Sequence, residues 1–190
     1  MIMAIKSQRE IFASFQNLKE DYSEFQGKII SSDVITQHNF EHLNVAIIGT
    51  DQFIVMHLEN ICLAAKNIKV FQISPQYILP KTDKGLHRLI SHPLLIKNRR
   101  LFSNRIKALL SLRFLESQVI DPWLRRLLTP NSANLPKNIL KSDSYYAALQ
   151  RENCSLNAWP IQKVSTSAIH SIDRLAYFPD IIITTFTQKC

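Results

Sequence analysis

One stretch of the chain, residues 43–80, limits the fold more than any other. The apolar run Asn44–Ile48 is followed by the turn Gly49-Thr50, a helix-patterned segment over residues 51–66 and a second apolar run over residues 68–71. A strand, a glycine turn, a helix and a second strand form the entry unit of dinucleotide-binding folds. We therefore predict an α/β fold with a Rossmann-like βαβ sheet.

The predicted helix carries one apolar stripe. A spacing of i, i+4, i+7, i+8 and i+11 is typical of a helix that packs one face against a core. Residues 45–48 are apolar without alternation, which is typical of a strand covered on both faces. Both patterns predict that the βαβ unit is folded and packed. The residues of the stripe are Ile54, Leu58, Ile61, Cys62 and Ala65.

The glycine turn lacks most of the residues that a phosphate-binding turn needs. Such a turn uses three glycines, for the tight bend, for backbone approach to the pyrophosphate and for close packing of the helix on the strand. Gly49 holds the first position, whereas Asp51 and Ile54 hold the second and third. Asp51 is a good helix cap, but its carboxylate repels a phosphate at the helix N-terminus. From these residues we favour a capped strand-to-helix turn without a ligand.

Length and composition suit a single domain with room for a small appendage. The 190 residues are enough for a buried core, and the 3 glycines are few for a nucleotide-binding fold. The 3 cysteines are far apart and lack a metal-ligand spacing, so we expect reduced thiols and no metal site. No apolar run approaches the roughly 20 residues of a membrane span, and we find no targeting signal. We therefore expect a cytoplasmic location.

Residues 81–129 form a basic, helix-patterned insert. It holds eleven basic and three acidic residues and so accounts for the whole formal charge of +8. Its apolar residues predict amphipathic helices, which Pro93 and Pro122 interrupt. We favour a solvated helical face over a membrane surface or a partner protein, and both over nucleic acid, for which no motif is present. The apolar residues of the insert are Leu101, Ile106, Leu109, Leu110, Leu112, Phe114 and Leu115.

Three groups of residues, in order along the chain, resemble one protein family. They are Phe25-x-Gly27, then Phe71-Gln72-Ile73-Ser74-Pro75 with Tyr77-Ile78-Leu79-Pro80, then Leu128-Thr129-Pro130-Asn131 with Ser142-Asp143-Ser144-Tyr145-Tyr146. These sequence motifs are similar to those of the NADPH-binding domain of the flavin-containing and Baeyer–Villiger monooxygenases. The likeness covers residues 25–186. It implies a Rossmann-like domain, NADP(H) and FAD as the cofactors of the family, and oxidoreductase chemistry of the FAD/NADPH-dependent monooxygenase type.

The resemblance also assigns roles to single positions, several of which differ here. The family's fingerprint histidine and tryptophan fall on Ser31 and Ile35, its 2′-phosphate-binding arginine on Ile73, and a glycine that approaches a nucleotide on Phe186. An isoleucine has neither the charge nor the planar donors of arginine. Lys137 keeps a lysine that lies near the NADPH phosphates in the family. The candidate cofactor-binding residues are therefore Gly49, Thr50 and Lys137, and no residue is predicted to be catalytic.

The resemblance divides the chain into two parts. Residues 1–24 have no counterpart in the family and are predicted to form an unassigned N-terminal helix or arm. Residues 25–190 are predicted to form a degenerate NADPH-binding-like domain that contains the insert. The flavin-binding segments of the family have no counterpart in this sequence, so we expect no FAD site in this chain.

These expectations define three hypotheses of function. The leading one is a truncated flavin-monooxygenase-like NAD(P)-binding domain that is catalytically inactive alone and serves as a pseudo-domain or protein-interaction module. One alternative is an accessory NADP(H)-binding subunit that a flavin-bearing chain completes. Another is a basic amphipathic module that binds a membrane surface or a partner. The expected partners are a flavin-bearing chain or a second copy of this one.

Overall fold

The computed structural model describes residues 21–72, 74–82, 101–131 and 138–185. Short 3₁₀ turns span Asp21–Glu24 and Ser32–Gln37. The helices are α1 (Gln52–Ala64), α2 (Leu101–Gln118), α3 (Pro122–Leu128) and α4 (Tyr145–Leu149). The strands are β1 (Lys28–Ser31), β2 (Asn44–Ile48), β3 (Asn67–Phe71), β4 (Ile78–Leu79), β5 (Leu140–Lys141), β6 (Cys154–Asn157), β7 (Ile161–Val164), β8 (Ile169–Ser171), β9 (Ala176–Tyr177) and β10 (Ile181–Thr184).

The central sheet consists of five parallel strands in the order β1-β10-β2-β3-β6. Ile47 of β2 lies opposite Val70 of β3 on one side and opposite Ile183 of β10 on the other. The strand order reverses at β2, because the chain continues through α1 to β3 on one side and reaches β10 on the other side only after β9. The predicted α/β fold and βαβ unit are confirmed.

Both faces of the sheet are covered, as the continuous apolar run of β2 predicts. Val45 and Ile47 point to the face on which α1 and α4 pack, and Ala46 and Ile48 point to the opposite face. All four side chains are fully buried, and burial stabilises each of the larger ones by about 1.5–3 kcal/mol. The five residues of the predicted α1 stripe are buried as well, so the stripe is confirmed.

An antiparallel three-stranded meander, β7-β8-β9, covers the second face of the sheet. Strands β8 and β9 are only three and two residues long, which is too short for a sequence pattern to predict them. The meander is fixed to the sheet by Tyr177, whose hydroxyl donates to the carbonyl oxygens of Asn67 at 3.1 Å and Val45 at 3.3 Å. The short strands are therefore held by tertiary contacts rather than by a local pattern.

The basic insert is helical, as predicted, over its described part. Pro122 lies in the first turn of α3, and the carboxylate of Asp121 caps that helix by accepting from the backbone N–H of Trp123 at 3.0 Å. Leu115 and Leu128 pack into the core beside α1. Residues 83–100, with Pro93, lie outside the described residues, as does the predicted N-terminal helix up to residue 20.

The apolar face predicted for α2 is only partly correct. Leu115 is buried, but Leu109 is 57% exposed. A buried position on α2 is instead taken by Ser111, whose hydroxyl donates to the carbonyl oxygen of Lys107 at 2.9 Å. That bond lets a small polar residue occupy a buried position. Within the described residues, neither α2 nor any other helix combines the length and the apolarity that crossing a bilayer requires.

Candidate functional site

The carboxyl edge of the parallel sheet is the place where open α/β folds bind ligands, at the point where the strand order reverses. In this chain that point lies between the ends of β2 and β10. A polar residue lies at or just after the carboxyl end of each of the five strands, and most of these side chains are buried. They are Ser32 after β1, Thr184 in β10, Thr50 after β2, Gln72 after β3 and Asn157 in β6.

Gly49 makes the tight turn at this edge. Its φ angle is +92°, in the region that side chains of L-residues rarely adopt. Its N–H donates to the carbonyl oxygen of Phe71 at 3.0 Å, and the N–H of Thr185 donates to the carbonyl oxygen of Ile48 at 3.2 Å. A Cβ atom at Gly49 would overlap the hydroxyl oxygen of Thr185. The space beside the turn is therefore occupied by the side chain of Thr185.

Asp51 closes the N-terminus of α1. One carboxylate oxygen accepts from the backbone N–H of Ile54 at 2.9 Å, and the other accepts from the hydroxyl of Ser32. The capping role predicted for Asp51 is confirmed. The contribution of Ser32 was not predicted, since this buried residue lies nineteen positions earlier in the chain and only the packing of β1 beside β10 brings it to the turn. The carboxylate lies where the helix dipole would otherwise attract an anion.

Gln52 ties the first turn of α1 to strand β5. Its side-chain amide donates to the carbonyl oxygen of Lys141 at 2.8 Å and accepts from the N–H of the same residue at 3.0 Å. Two such bonds fix the amide in one orientation and hold the helix N-terminus against β5. The first turn of α1 is thus engaged through both Asp51 and Gln52.

A buried polar network lies behind the turn. The hydroxyl of Tyr145 donates to the Gln72 side-chain oxygen at 2.9 Å. The hydroxyl of Thr50 lies beside that phenol, and its oxygen is buried without a partner of good hydrogen-bond geometry in the described residues. Burial raises the pKa of Tyr145, and the Thr50 hydroxyl offsets part of the rise. A tyrosine that keeps its proton at neutral pH serves here as a fixed donor and not as a base.

The network continues toward the meander through Asn157. Its side-chain amide donates to the hydroxyl of Ser171 at 2.9 Å, and its backbone carbonyl accepts from the N–H of Gln72 at 3.0 Å. Because the side chains of Gln72, Asn157 and Ser171 are each buried with a partner, these bonds rigidify the carboxyl edge of the sheet. Among the described residues, no cluster of three or more His, Cys, Asp or Glu side chains is arranged to hold a metal ion.

The structure places two of the three predicted cofactor-binding residues at the point of strand reversal. Gly49 and Thr50 are adjacent in the turn, whereas Lys137 lies outside the described residues, as do Ile73 and Phe186. Ser31 ends β1, and Ile35 is buried in the following 3₁₀ turn. The further residues at the site are Ser32, Gln52 and Thr185. Of these, only Gln52 could have been placed at the site from the sequence, because it lies in the first turn of the predicted helix.

These residues do not fit a pyrophosphate in the arrangement seen here. A pyrophosphate at this turn needs free N–H groups at the helix N-terminus and open space beside the first glycine. The N–H of Ile54 is bonded to the Asp51 carboxylate, and the space beside Gly49 holds Thr185. The N-terminus of α1 therefore carries the negative charge of its own cap instead of that of a ligand.

A second concave surface lies along β6, which is an outer strand of the sheet. This β6 groove has a volume of about 500 Å³ and lies between α3 and the meander. Trp123 and Trp159 are 66% and 59% exposed at its sides, and Leu175 is also exposed. Large exposed aromatic side chains beside an open strand edge are typical of a contact surface for protein.

Fold and site together define a Rossmann-like α/β domain whose turn at Gly49 is closed by the chain's own side chains. No protein-family model matches the chain. An FAD-binding monooxygenase of Aspergillus niger is 27% identical over 187 residues, which cover 85% of this chain and 31% of that protein. A Baeyer–Villiger monooxygenase of Pseudomonas aeruginosa is 29% identical over 168 residues, which cover 76% of this chain and 32% of that protein.

Solved structures of the same kind share the fold. A steroid monooxygenase bound to NADP superposes with a TM-score of 0.67 at 19% identity, and the match covers 85% of this chain and 42% of that structure. A cyclohexanone monooxygenase from Rhodococcus sp. Phi1 bound to NADP⁺ gives a TM-score of 0.66 at 18% identity. That match covers 85% of this chain and 41% of the solved structure.

The resemblance predicted from the sequence is thereby confirmed. Over most of its length the chain is homologous to a segment of FAD-dependent and Baeyer–Villiger monooxygenases. The chain spans about a third of the length of the curated relatives that it matches.

Proposed function

We propose that this chain is a flavin-monooxygenase-like pseudo-domain that is catalytically inactive on its own and does not bind NADP(H) at the Gly49 turn. The observation that supports the proposal is the position of the Asp51 carboxylate, which accepts from the N–H of Ile54 and from the hydroxyl of Ser32. A phosphate at the same place would have to displace this cap or approach a like charge.

The size of the repulsion is enough to abolish binding at ordinary concentrations. Two like charges 4 Å apart repel by about 4 kcal/mol at an effective dielectric constant of about 20. Since about 1.4 kcal/mol changes an equilibrium constant tenfold, this repulsion weakens binding by about a thousandfold. Displacing the cap instead costs about 1 kcal/mol and still leaves Thr185 beside the turn.

A calorimetric titration with NADPH tests the proposal. The wild-type chain is expected to give no saturable heat up to millimolar NADPH. Asp51→Asn retains a side-chain oxygen for the cap and removes the charge, whereas Asp51→Gly also opens the backbone. If repulsion is the cause, Asp51→Asn and Asp51→Gly, each combined with Thr185→Gly, both gain measurable binding. Saturable micromolar binding by the wild-type chain would overturn the proposal.

A second candidate function is an accessory NADP(H)-binding subunit that a flavin-bearing chain completes. Two observations favour it: Gly49 keeps the left-handed turn conformation, and the solved structures with this fold include NADP-bound ones. In this case the wild-type titration gives micromolar NADPH binding, and Lys137→Ala weakens it because one cation is removed from the phosphates. Asp51→Asn should then strengthen binding rather than create it.

We further propose that the pseudo-domain acts through protein contact at the β6 groove, with a second copy of this chain as the occupant. Lys69 and Asp173 both line the groove, so two copies related by a twofold axis can pair the lysine of each with the aspartate of the other. The exposed edge of β6 and the two flanking tryptophans supply the remaining contact surface.

Sedimentation equilibrium tests this contact. The average mass of the wild-type chain is expected to rise toward that of a dimer with increasing concentration, and Trp159→Ser should return it to that of the monomer. Leu63→Ser is the matched control, since Leu63 is 65% exposed on α1 and does not line the groove. A monomeric wild-type chain at all concentrations would contradict the proposed contact.

A further inference from the structure

The two outer strands of the central sheet differ in how their open edges are protected. An open strand edge offers backbone N–H and C=O groups to another chain, and charged side chains on the edge discourage such pairing. The outer strand β1 begins with the exposed Lys28, whose ammonium nitrogen lies 3.1 Å from the Nδ1 atom of His38. The other outer strand, β6, contains no charged residue. The edge of β6 is therefore the better suited of the two to pair with another strand.

The register of β6 on β3 identifies the backbone groups that face outward. The N–H of Ile68 in β3 donates to the carbonyl oxygen of Asn153 at 2.7 Å. In a parallel ladder every second residue of a strand bonds to the same neighbour, so the odd-numbered residues of β6 face β3. The even-numbered residues direct their backbone groups away from the sheet. They are Cys154, Leu156 and, just after the strand, Ala158.

The β6 groove leaves this edge open between two layers. Helix α3 packs on the α1 face of the sheet through Leu128, and the meander packs on the opposite face through Ile169. Both layers reach the groove, α3 with Trp123 and the meander with Leu175, and residues 155–158 lie along it. Helix, strand edge and meander thus form one surface in three layers, and a second copy of the chain presents the same three layers.

We propose that two copies of this chain pair their β6 strands antiparallel, in a register centred on Leu156, and so join their five-stranded sheets into one continuous sheet. This inference rests on the proposed contact at the β6 groove and specifies its geometry. A twofold axis perpendicular to the sheet reverses the strand direction and keeps each layer on its own side. The two Leu156 residues then exchange both N–H···O bonds, and the N–H of each Ala158 donates to the Cys154 carbonyl oxygen of the other copy.

The charges beside the edge are complementary under the same axis. Lys69 and Asp173 both line the groove on the meander side of the sheet. The Lys69 ammonium nitrogen lies 5.6 Å from the centre of the Tyr177 ring, and Asp173 is fixed in the turn after β8 by accepting from the N–H of Leu175 at 3.1 Å. Because the axis keeps the two meanders on one side, the lysine of each copy can pair with the aspartate of the other. This complementarity favours a second copy as the occupant.

Amide hydrogen exchange, followed for single residues by NMR at low and high protein concentration, tests the register. The amides of Leu156 and Ala158 are expected to exchange more slowly, by about tenfold or more, at concentrations where sedimentation shows a dimer. The N–H of Ile29 is the matched control, because it faces outward from β1 at the opposite edge of the sheet. Unchanged exchange at Leu156 and Ala158 in a dimer would overturn the strand pairing and leave the groove contact standing. A chain that stays monomeric would overturn both.

Ala158→Pro tests the same register with a variant. A proline is tolerated where the N–H of an edge strand faces solvent, so the single chain should still fold. The twofold axis removes two hydrogen bonds from the dimer at once, so sedimentation equilibrium should show a dissociation constant raised by about tenfold or more.

Ser31→Pro is the control for this variant at the end of the other outer strand. The φ angle of Ser31 is −83°, close to that of proline, and this variant should dimerise like the wild-type chain. Circular dichroism checks that both variants are folded. A folded Ala158→Pro chain that dimerises like the wild type would contradict the register. The exchange measurement on the wild-type chain decides the matter if Ala158→Pro does not fold.

Discussion

At the scale of single residues, Gly49 illustrates how a fingerprint position can keep its backbone role without its ligand. Its φ of +92° and the close approach of the Thr185 side chain, which leaves no room for a Cβ atom, both require glycine at this position. The turn therefore depends on the backbone conformation and on the packing of Thr185, and neither requirement involves a nucleotide.

We expect Gly49→Ala to destabilise the chain by about 1–3 kcal/mol, because an alanine must adopt a left-handed conformation and also displace Thr185. Urea denaturation measures the loss. Thr185→Ala in the same background removes the clash but not the backbone strain, and so should recover only part of the stability. Full recovery of the stability would show that the backbone strain contributes nothing. If no stability is recovered, Thr185 does not contact the turn.

Asp51 can be tested separately from any ligand. We expect Asp51→Ala to lower the free energy of unfolding by about 1–2 kcal/mol, since it removes the cap of α1 and leaves the buried hydroxyl of Ser32 without its acceptor. Asp51→Asn keeps one oxygen for the bond from the N–H of Ile54 and an amide N–H that can donate to the Ser32 hydroxyl, and is expected to lose at most half as much. Equal losses in thermal denaturation would mean that the charge, rather than the cap, stabilises the helix.

At the scale of elements, one buried hydrogen bond joins α4 to the end of β3. The hydroxyl of Tyr145, the first residue of α4, donates to the side-chain oxygen of Gln72, which follows β3. The backbone N–H of Tyr145 donates to the hydroxyl of Ser142 at 3.1 Å, just before the helix begins. Tyr145 therefore contributes packing and a tertiary hydrogen bond through its side chain.

We expect Tyr145→Phe to destabilise the chain by about 1–3 kcal/mol, because it leaves the buried oxygen of Gln72 without its donor. Tyr146→Phe is the matched control: Tyr146 is equally buried and packs on Phe114 at a ring-centroid distance of 5.6 Å, but its hydroxyl makes no hydrogen bond within the described residues. Equal stability losses in urea denaturation would contradict a specific role for the Tyr145 hydroxyl.

At the scale of the whole molecule, buried tyrosines make the free energy of unfolding depend on pH in the alkaline range. Burial raises the pKa of Tyr22 to about 12, and it raises the pKa of Tyr77, Tyr145, Tyr146 and Tyr177 as well. In the unfolded chain these groups titrate near pH 10. Above that pH the folded chain holds more protons than the unfolded chain, so the free energy of unfolding falls as pH rises.

We therefore expect stability to be retained below about pH 10 and then to fall by about 1.4 kcal/mol per pH unit for each buried tyrosine. The dependence of stability on pH is measured from urea denaturation midpoints between pH 8 and pH 12. Phenolate absorbance reports the ionisation of the tyrosines over the same range. Tyr22→Phe should make the fall shallower between the unfolded value near 10 and the folded value of about 12. An unchanged slope would show that Tyr22 does not take part.

The sequence by itself determined the parts of this protein that depend on local patterns. The apolar run of β2, the stripe of α1 and the capping residue Asp51 each follow from side chains within a few positions of one another, because helix and strand periodicity is a local property. For the same reason the short strands β8 and β9 were missed, since two or three residues carry no period. Leu109, one of the apolar residues of the predicted amphipathic helix, is exposed, because the spacing of apolar residues along a helix does not by itself say which of them the tertiary structure covers.

Only the tertiary structure decided which distant residues meet. The insertion of β10 between β1 and β2 brings Ser32 to the Asp51 carboxylate and Thr185 to the Gly49 turn. Pairing between strands far apart in the chain is set by burial of both sheet faces at once, and no local pattern specifies it. The sequence thus determined that a dinucleotide-type turn forms, and the tertiary structure decided that the turn is filled by the chain's own side chains.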